Sequence, residues 1–264
     1  MIEVDDEQAI YRQLERSVLA SGWARGPWDP EAQHGGPTAA ILMRALEQLD
    51  DLDGSLALAR VTYELIRPAP LGELLVQARI ARPGRRIQLL EAELRTPDGT
   101  EVVKARALRI ARAPLDAGAQ PAPPPPGPHG LEADARFAAG AQMYVGGAIE
   151  VRMASGHFFE RGPASAWFRL RRPLVQGEQP TALQRLVAAA DFPNGISAEV
   201  DWGEYLFINP DLTVHVEREP RGEWIGLEAR TRIVRDGVGI AEAVLHDQHG
   251  RVGRSVQSLY VARR

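Results

Sequence analysis

Asp191 follows the apolar run Leu186-Val187-Ala188-Ala189-Ala190 and precedes Phe192, where a helical pattern runs out. The carbonyl end of a helix and an apolar flank both disfavour a merely solvated anion. Its carboxylate is therefore a candidate general base. The plainer reading is that it caps the turn at Pro193-Asn194-Gly195. Gln257 sits among Val256, Ser258 and Leu259 in a strand-like segment. A glutamine at a strand centre is costly unless its amide is paired, so it wants a partner. Otherwise it faces water on a half-solvated sheet. A third group, His34-Gly35-Gly36, stands just before a helix opening at Pro37. Glycines let a backbone approach a ligand, and the N–H groups of a helix N-terminus suit a developing oxyanion. The alternative there is a simple turn. Trp23 and Trp28 flank this region as wall residues of an apolar tunnel or as ordinary core.

Other chemistries find little support. The chain has no cysteine, so a thiol nucleophile, a thiolate metal site and a disulfide framework are excluded. The remaining histidines (His129, His157, His215, His246, His249) lack the spacing of a metal site. Neither a G-x-S-x-G elbow nor a P-loop occurs, and Gly237 and Gly239 lead into a strand pattern without a third glycine. A formal net charge of −4 over 264 residues argues against nucleic acid as a partner. The densest arginine runs (Arg82, Arg85, Arg86 and Arg169, Arg171, Arg172) are read as solvated sheet edges or as contacts with an anionic substrate. The acidic start is unlike a signal peptide, and no uncharged apolar stretch approaches the roughly 20 residues of a membrane span. A soluble, cytoplasmic protein is expected.

The elements that must position these residues fall into two copies. Residues 113–130 are rich in proline, with four in a row at 123–126. Proline removes backbone donors and fixes φ, so this stretch reads as an extended linker. Expected boundaries are 1–112 for the first domain, 113–140 for the linker and 141–264 for the second domain. A shift of 151 positions places Thr62 on Thr213, Arg67 on Arg218, Glu91 on Glu242, Leu94 on Leu245 and Gly99 on Gly250. A shared shift across about 50 residues indicates internal duplication. Each copy opens with a helix, 37–49 and 181–190, both led by proline and threonine. Alternating apolar residues then predict strands at 61–67, 74–81, 87–94 and 101–111, and again at 212–217, 224–234, 238–246 and 252–262. The fold class is α+β. Joining the two copies side by side would remove an exposed sheet edge from each.

This pattern resembles the hotdog fold, a sheet wrapped around a helix, and the fused pair resembles the acyl-CoA thioesterase II (TesB-like) family. The likeness runs from about Trp23 to the C-terminus. It is carried by Gln33-His34-Gly35-Gly36-Pro37, Ala189-Ala190-Asp191-Phe192, Ile208-Asn209-Pro210-Asp211-Leu212-Thr213 with Arg218 and Gly222-Glu223-Trp224, and Ser255-Val256-Gln257-Ser258-Leu259. The resemblance implies hydrolysis of acyl-CoA by water, with no metal or cofactor, in a homodimer or higher oligomer. It also implies a catalytic trio of aspartate, hydroxyl or amide, and glutamine, which falls on Asp191, Asn209 and Gln257. The family often has threonine or serine at the middle position, so Thr213 is a rival to Asn209. His34, Gly35 and Gly36 would bind substrate. In the duplication Asp191 corresponds to Gln48, Asn209 to Leu58 and Gln257 to Arg106, so one working site is expected, in the second copy. Two alternatives are an enoyl-CoA hydratase or dehydratase, which would want a histidine beside the aspartate, and a non-catalytic acyl-CoA-binding protein.

Overall fold

The computed structural model describes residues 9–113, 115, 123, 126–133 and 142–264. Most of the expected linker, and with it the exact domain boundaries, lies outside the described residues. The first half runs β1 (Tyr11–Gln13), β2 (Ser17–Ala20), α1 (Gly35–Glu47), β3 (Leu56–Leu65), β4 (Gly72–Arg82), β5 (Ile87–Arg95) and β6 (Glu101–Ala111). The second half runs β7 (Ile149–Ser155), β8 (Ala164–Leu170), α2 (Ala182–Ala190), α3 (Pro193–Ile196), β9 (Tyr205–Ile208), β10 (Asp211–Val216), β11 (Ile225–Ile233), β12 (Val238–Asp247) and β13 (Gly250–Arg263).

All strands join one antiparallel sheet in the order β1-β2-β4-β5-β6-β3-β10-β13-β12-β11-β8-β7, with β9 added on β13. The order is a palindrome about the β3–β10 pair. Thr62 lies opposite Thr213 there, and their hydroxyls are 3.1 Å apart. The expected side-by-side union of two hotdog units is therefore made through a shared ladder, which leaves neither inner edge unpaired. β1, β2, β7, β8 and the four-residue β9 were not predicted. β1 and β2 are too short to show a period. In β8, Trp167 and Phe168 are both buried, because residues 126–128 cross the outer face: Trp167 Nε1 donates to Pro126 O at 2.7 Å and Arg152 to Pro128 O at 3.0 Å. A strand covered on both sides loses its alternation.

The strand register corrects one correspondence. Arg106 pairs with Glu91, and Val256 pairs with Glu242. Because Glu91 and Glu242 are equivalent, Val256 is the counterpart of Arg106, and Gln257 that of buried Ala107. Between the paired residues Leu245 and Gly253 the chain is one residue shorter than between Leu94 and Val103, and both ladders carry a bulge there. A one-residue slip exchanges the two faces of a strand. Counting along the sequence thus put an outward arginine where an inward side chain belongs.

α1 and α2 lie antiparallel on the inner face. Glycine allows their close approach, since a Cβ on Gly36 would stand 2.5 Å from Ala188 O. Ile41, Leu42, Met43 and Leu46 of α1 and Leu186 and Val187 of α2 are buried against the sheet. α2 starts with a reciprocal cap: Gln184 N–H donates to Thr181 Oγ1 at 3.1 Å and Thr181 N–H to Gln184 Oε1 at 3.3 Å. Such caps typically contribute about 1 kcal/mol.

Candidate active site

The antiparallel helices bring the first residues of α1 against the last of α2, and the chemistry-bearing residues meet at that junction. Asp191 is the C-cap of α2 and is 5% exposed. Its Oδ1 accepts from Asn209 Nδ2 at 2.8 Å and from Gln257 Nε2 at 2.9 Å. Its Oδ2 lies 3.1 Å from His34 Nδ1. Asn209 stands between β9 and β10 and also donates to Asp211 O at 3.1 Å. Gln257, wholly buried in β13, donates a second time to Asp191 O at 3.2 Å and accepts from Asn194 N–H at 3.3 Å. Both amides bind the carboxylate and so set its orientation.

His34 is the N-cap of α1, and Gly36 N–H points at its Nδ1 at 3.0 Å. One ring nitrogen therefore faces both an amide N–H and a carboxylate oxygen. With a lone pair on Nδ1 it accepts from Gly36. With a proton on Nδ1 it donates to Asp191 and the Gly36 N–H is released. The imidazole thus bridges the aspartate and the amide at the helix start. Phe192 stacks on the imidazole with ring centroids 4.7 Å apart, and Tyr144 lies at 5.1 Å. Gly35 is required by packing: a Cβ there would collide with Asp191 Oδ2.

This junction opens into a cavity of about 610 Å³ lined by His34, Gly35, Asp191, Asn194 and Asn209. Its walls include Trp28, Phe158, Phe159, Phe192 and Trp202, with Arg67 and Asp29 also lining it. Trp28 and Trp202 stack at 4.8 Å. The arrangement offers an anchored carboxylate, a histidine and the Gly35 start of α1 at the wall of an apolar chamber, which suits attack on an acyl carbonyl.

Comparison with known proteins then assigns the fold to a lineage. Residues 24–110 match the acyl-CoA thioesterase N-terminal domain family, and residues 116–261 match the acyl-CoA thioesterase C-terminal domain family. The chain belongs to the acyl-CoA thioesterase family. No curated protein matches it. Among solved structures, a Thermobifida fusca protein described as a thioesterase II is 20% identical with a TM-score of 0.76, covering 100% of this chain and 98% of that one. A hot dog fold protein of unknown function from Alicyclobacillus acidocaldarius is 17% identical with a TM-score of 0.71, covering 98% and 97%. The acyl-CoA thioesterase II TesB2 of Mycobacterium marinum is 14% identical with a TM-score of 0.67, covering 98% and 96%. These similarities show a shared double hotdog fold.

Within this acyl-CoA thioesterase, Asp191, Asn209, Gln257, His34 and Gly35 do converge. Gln257 lies behind Asp191 and does not line the cavity, and Gly36 is likewise set back. Thr213, the rival middle residue, is bonded to Thr62 at the centre of the sheet and is absent from the cavity wall. Trp28 forms part of the wall, whereas Trp23 is covered by the Arg172 guanidinium 3.4 Å above its ring. Arg169 and Arg171 are engaged by Glu150 at 2.7 and 3.3 Å. Burial alone would push the Glu150 carboxyl up, but Arg169, Arg171 and Arg152 hold it at about 2. Arg67 is the arginine on the cavity wall. Asn194, the asparagine near Asp191 that the hydratase alternative would use, is held on the cavity wall by α3.

Proposed function

We propose that Asp191 is the general base that directs water onto the thioester carbonyl of a fatty or related acyl-CoA. Asn209 and Gln257 hold Oδ1, which leaves Oδ2 as the oxygen that takes the proton. As the water oxygen bonds to the carbonyl carbon, charge gathers on the carbonyl oxygen, which the first amides of α1 are placed to stabilise. Collapse breaks the carbon–sulfur bond, and the proton passes to the departing CoA sulfur. His34 bridges Asp191 and the start of α1, and so fixes the carboxylate relative to the helix N-terminus.

The observation that carries this reading is the anchored carboxylate at the cavity wall, facing the start of α1. Asp191→Asn should keep the fold and lower kcat by about 10²- to 10⁴-fold. The measurement is thiol release across a panel of acyl-CoAs, with circular dichroism as the folding control. A folded variant with full activity would overturn the assignment.

One observation favours a second reading. The tertiary structure does bring a histidine to Asp191, with Asn194 nearby, so the lack of a neighbouring histidine in the chain no longer argues against a hydratase. Crotonyl-CoA hydration measured beside thiol release separates the two. A non-catalytic role in acyl-CoA binding is disfavoured by the completeness of the hydrogen-bonded constellation. A cytoplasmic setting is supported by the lack of cysteine. Among the described residues no helix is long and apolar enough to cross a membrane. Homodimer formation is supported by exposed apolar pairs on the outer sheet face, Ile87 with Ile110 and Val238 with Tyr260.

A further inference from the structure

The geometry points to Gly195 as the residue that sets how long an acyl group this cavity accepts, a reading that rests on acyl-CoA hydrolysis at Asp191. Gly195 lies in α3, one short helical turn beyond Asp191, and lines the same cavity. Its φ is outside the left-handed region, so the backbone does not require glycine there. Nor does close packing: an added Cβ would meet Phe158 Cζ at 3.5 Å and Trp202 Cζ2 at 4.0 Å, which are ordinary contacts. Gly35 is the opposite case, where a Cβ collides with the carboxylate. Glycine inside a helix costs roughly 0.5–1 kcal/mol relative to alanine. At position 195 that cost has no local steric reason, and what the missing side chain leaves is space between two aromatic walls.

The direction of the substrate makes this space matter. With the thioester carbonyl against the cavity face of the His34–Asp191 pair, the charged coenzyme fits the side of the cavity carrying Arg67. The acyl group then extends along the aromatic side, past Phe192 towards Phe158 and Trp202, where Gly195 forms the floor. A side chain at 195 would occupy the volume of the distal methylenes. It would leave the carboxylate and its amide partners in place.

The test compares intact wild type, Gly195→Ala and Gly195→Leu on butyryl-, octanoyl- and palmitoyl-CoA, reading kcat/KM from thiol release. A single misplaced methylene typically changes kcat/KM by about tenfold or more. Gly195→Leu should lower the palmitoyl-to-butyryl ratio at least tenfold, through KM more than kcat. Gly195→Ala should move it about two- to threefold in the same direction. A folded leucine variant whose values change in parallel for all three substrates would overturn the inference. Should leucine prevent folding, an unchanged ratio in Gly195→Ala would do the same. If wild type cleaves none of the three, the proposed function itself fails and takes this inference with it.

Discussion

The two helices touch at both ends, and the two junctions have opposite chemistry. At the open junction, α1 begins with His34-Gly35-Gly36 and α2 ends in Asp191, beside the cavity. At the other, α2 begins with Thr181 and α1 ends in Glu47 and Gln48. There Glu47 closes the space: its carboxylate accepts from Thr181 Oγ1 at 2.8 and 2.9 Å and from Gln184 Nε2 at 2.7 Å. Arg44 adds a two-pronged bond to Glu178 at 2.6 and 2.7 Å. The carbonyl ends differ just as sharply. Buried Arg109 donates to Leu46 O, Leu49 O and Asp50 O at 2.8 to 3.1 Å, placing a cation where the helix dipole favours one. By register, its counterpart in β13 is Leu259, and α2 instead carries an anion at its carbonyl end. One duplicated unit has been tied shut by complementary charge. The other keeps a carboxylate at a helix carbonyl end, in a buried, glycine-floored gap beside the cavity.

The sharpest way to break this contrast is Gly35→Ala, which puts a methyl where Asp191 Oδ2 lies. Displacing a reacting group by about 1 Å can cost on the order of 10²-fold. We expect kcat to fall by at least that factor in steady-state assays, with little change in KM. Next, Arg109→Leu gives the first unit the residue of the second. Three carbonyls lose a buried donor, so denaturant unfolding should show a loss of about 2 kcal/mol while kcat stays within threefold of wild type. A large activity loss without destabilisation would show that the closed junction takes part in catalysis. The smallest effect concerns Glu47. Burial raises its carboxyl pKa above the ordinary value of 4.5, against hydrogen bonds from Gln184 and Thr181 that lower it. A carboxyl raised in the folded state binds its proton more tightly there than in the unfolded chain. Its contribution is therefore complete below about pH 4 and is lost as pH rises through the folded pKa. Glu47→Gln should be equally stable or more stable than wild type at pH 7, by less than about 1 kcal/mol, with the difference gone near pH 4. Urea unfolding at both pH values checks this; equal pH dependence in the two proteins would mean Glu47 does not titrate differently on folding.

Much of the architecture was legible from residue type and order. The shared spacing from Thr62/Thr213 to Gly99/Gly250 reveals the duplication, and alternation outlines β3 to β6 and β10 to β13. Asp191 and Gln257 announce themselves as polar residues in apolar company. The register of β13 was not legible, because one residue lost in the turn before it leaves the local pattern intact while exchanging the faces. β7 and β8 were hidden for a related reason, since their outer face is covered by residues 126–128.

What the sequence determined by itself was the set of local preferences: two amphipathic helices, a doubled run of strands, and a carboxylate and a glutamine that must find partners. What only the tertiary structure decided was who those partners are. His34 and Asp191 are 157 positions apart, and no periodic signal connects them. Their meeting depends on two helices lying antiparallel on a sheet closed by the β3–β10 pairing. Local pattern reports which face a residue prefers; which side chains meet is set by long-range packing.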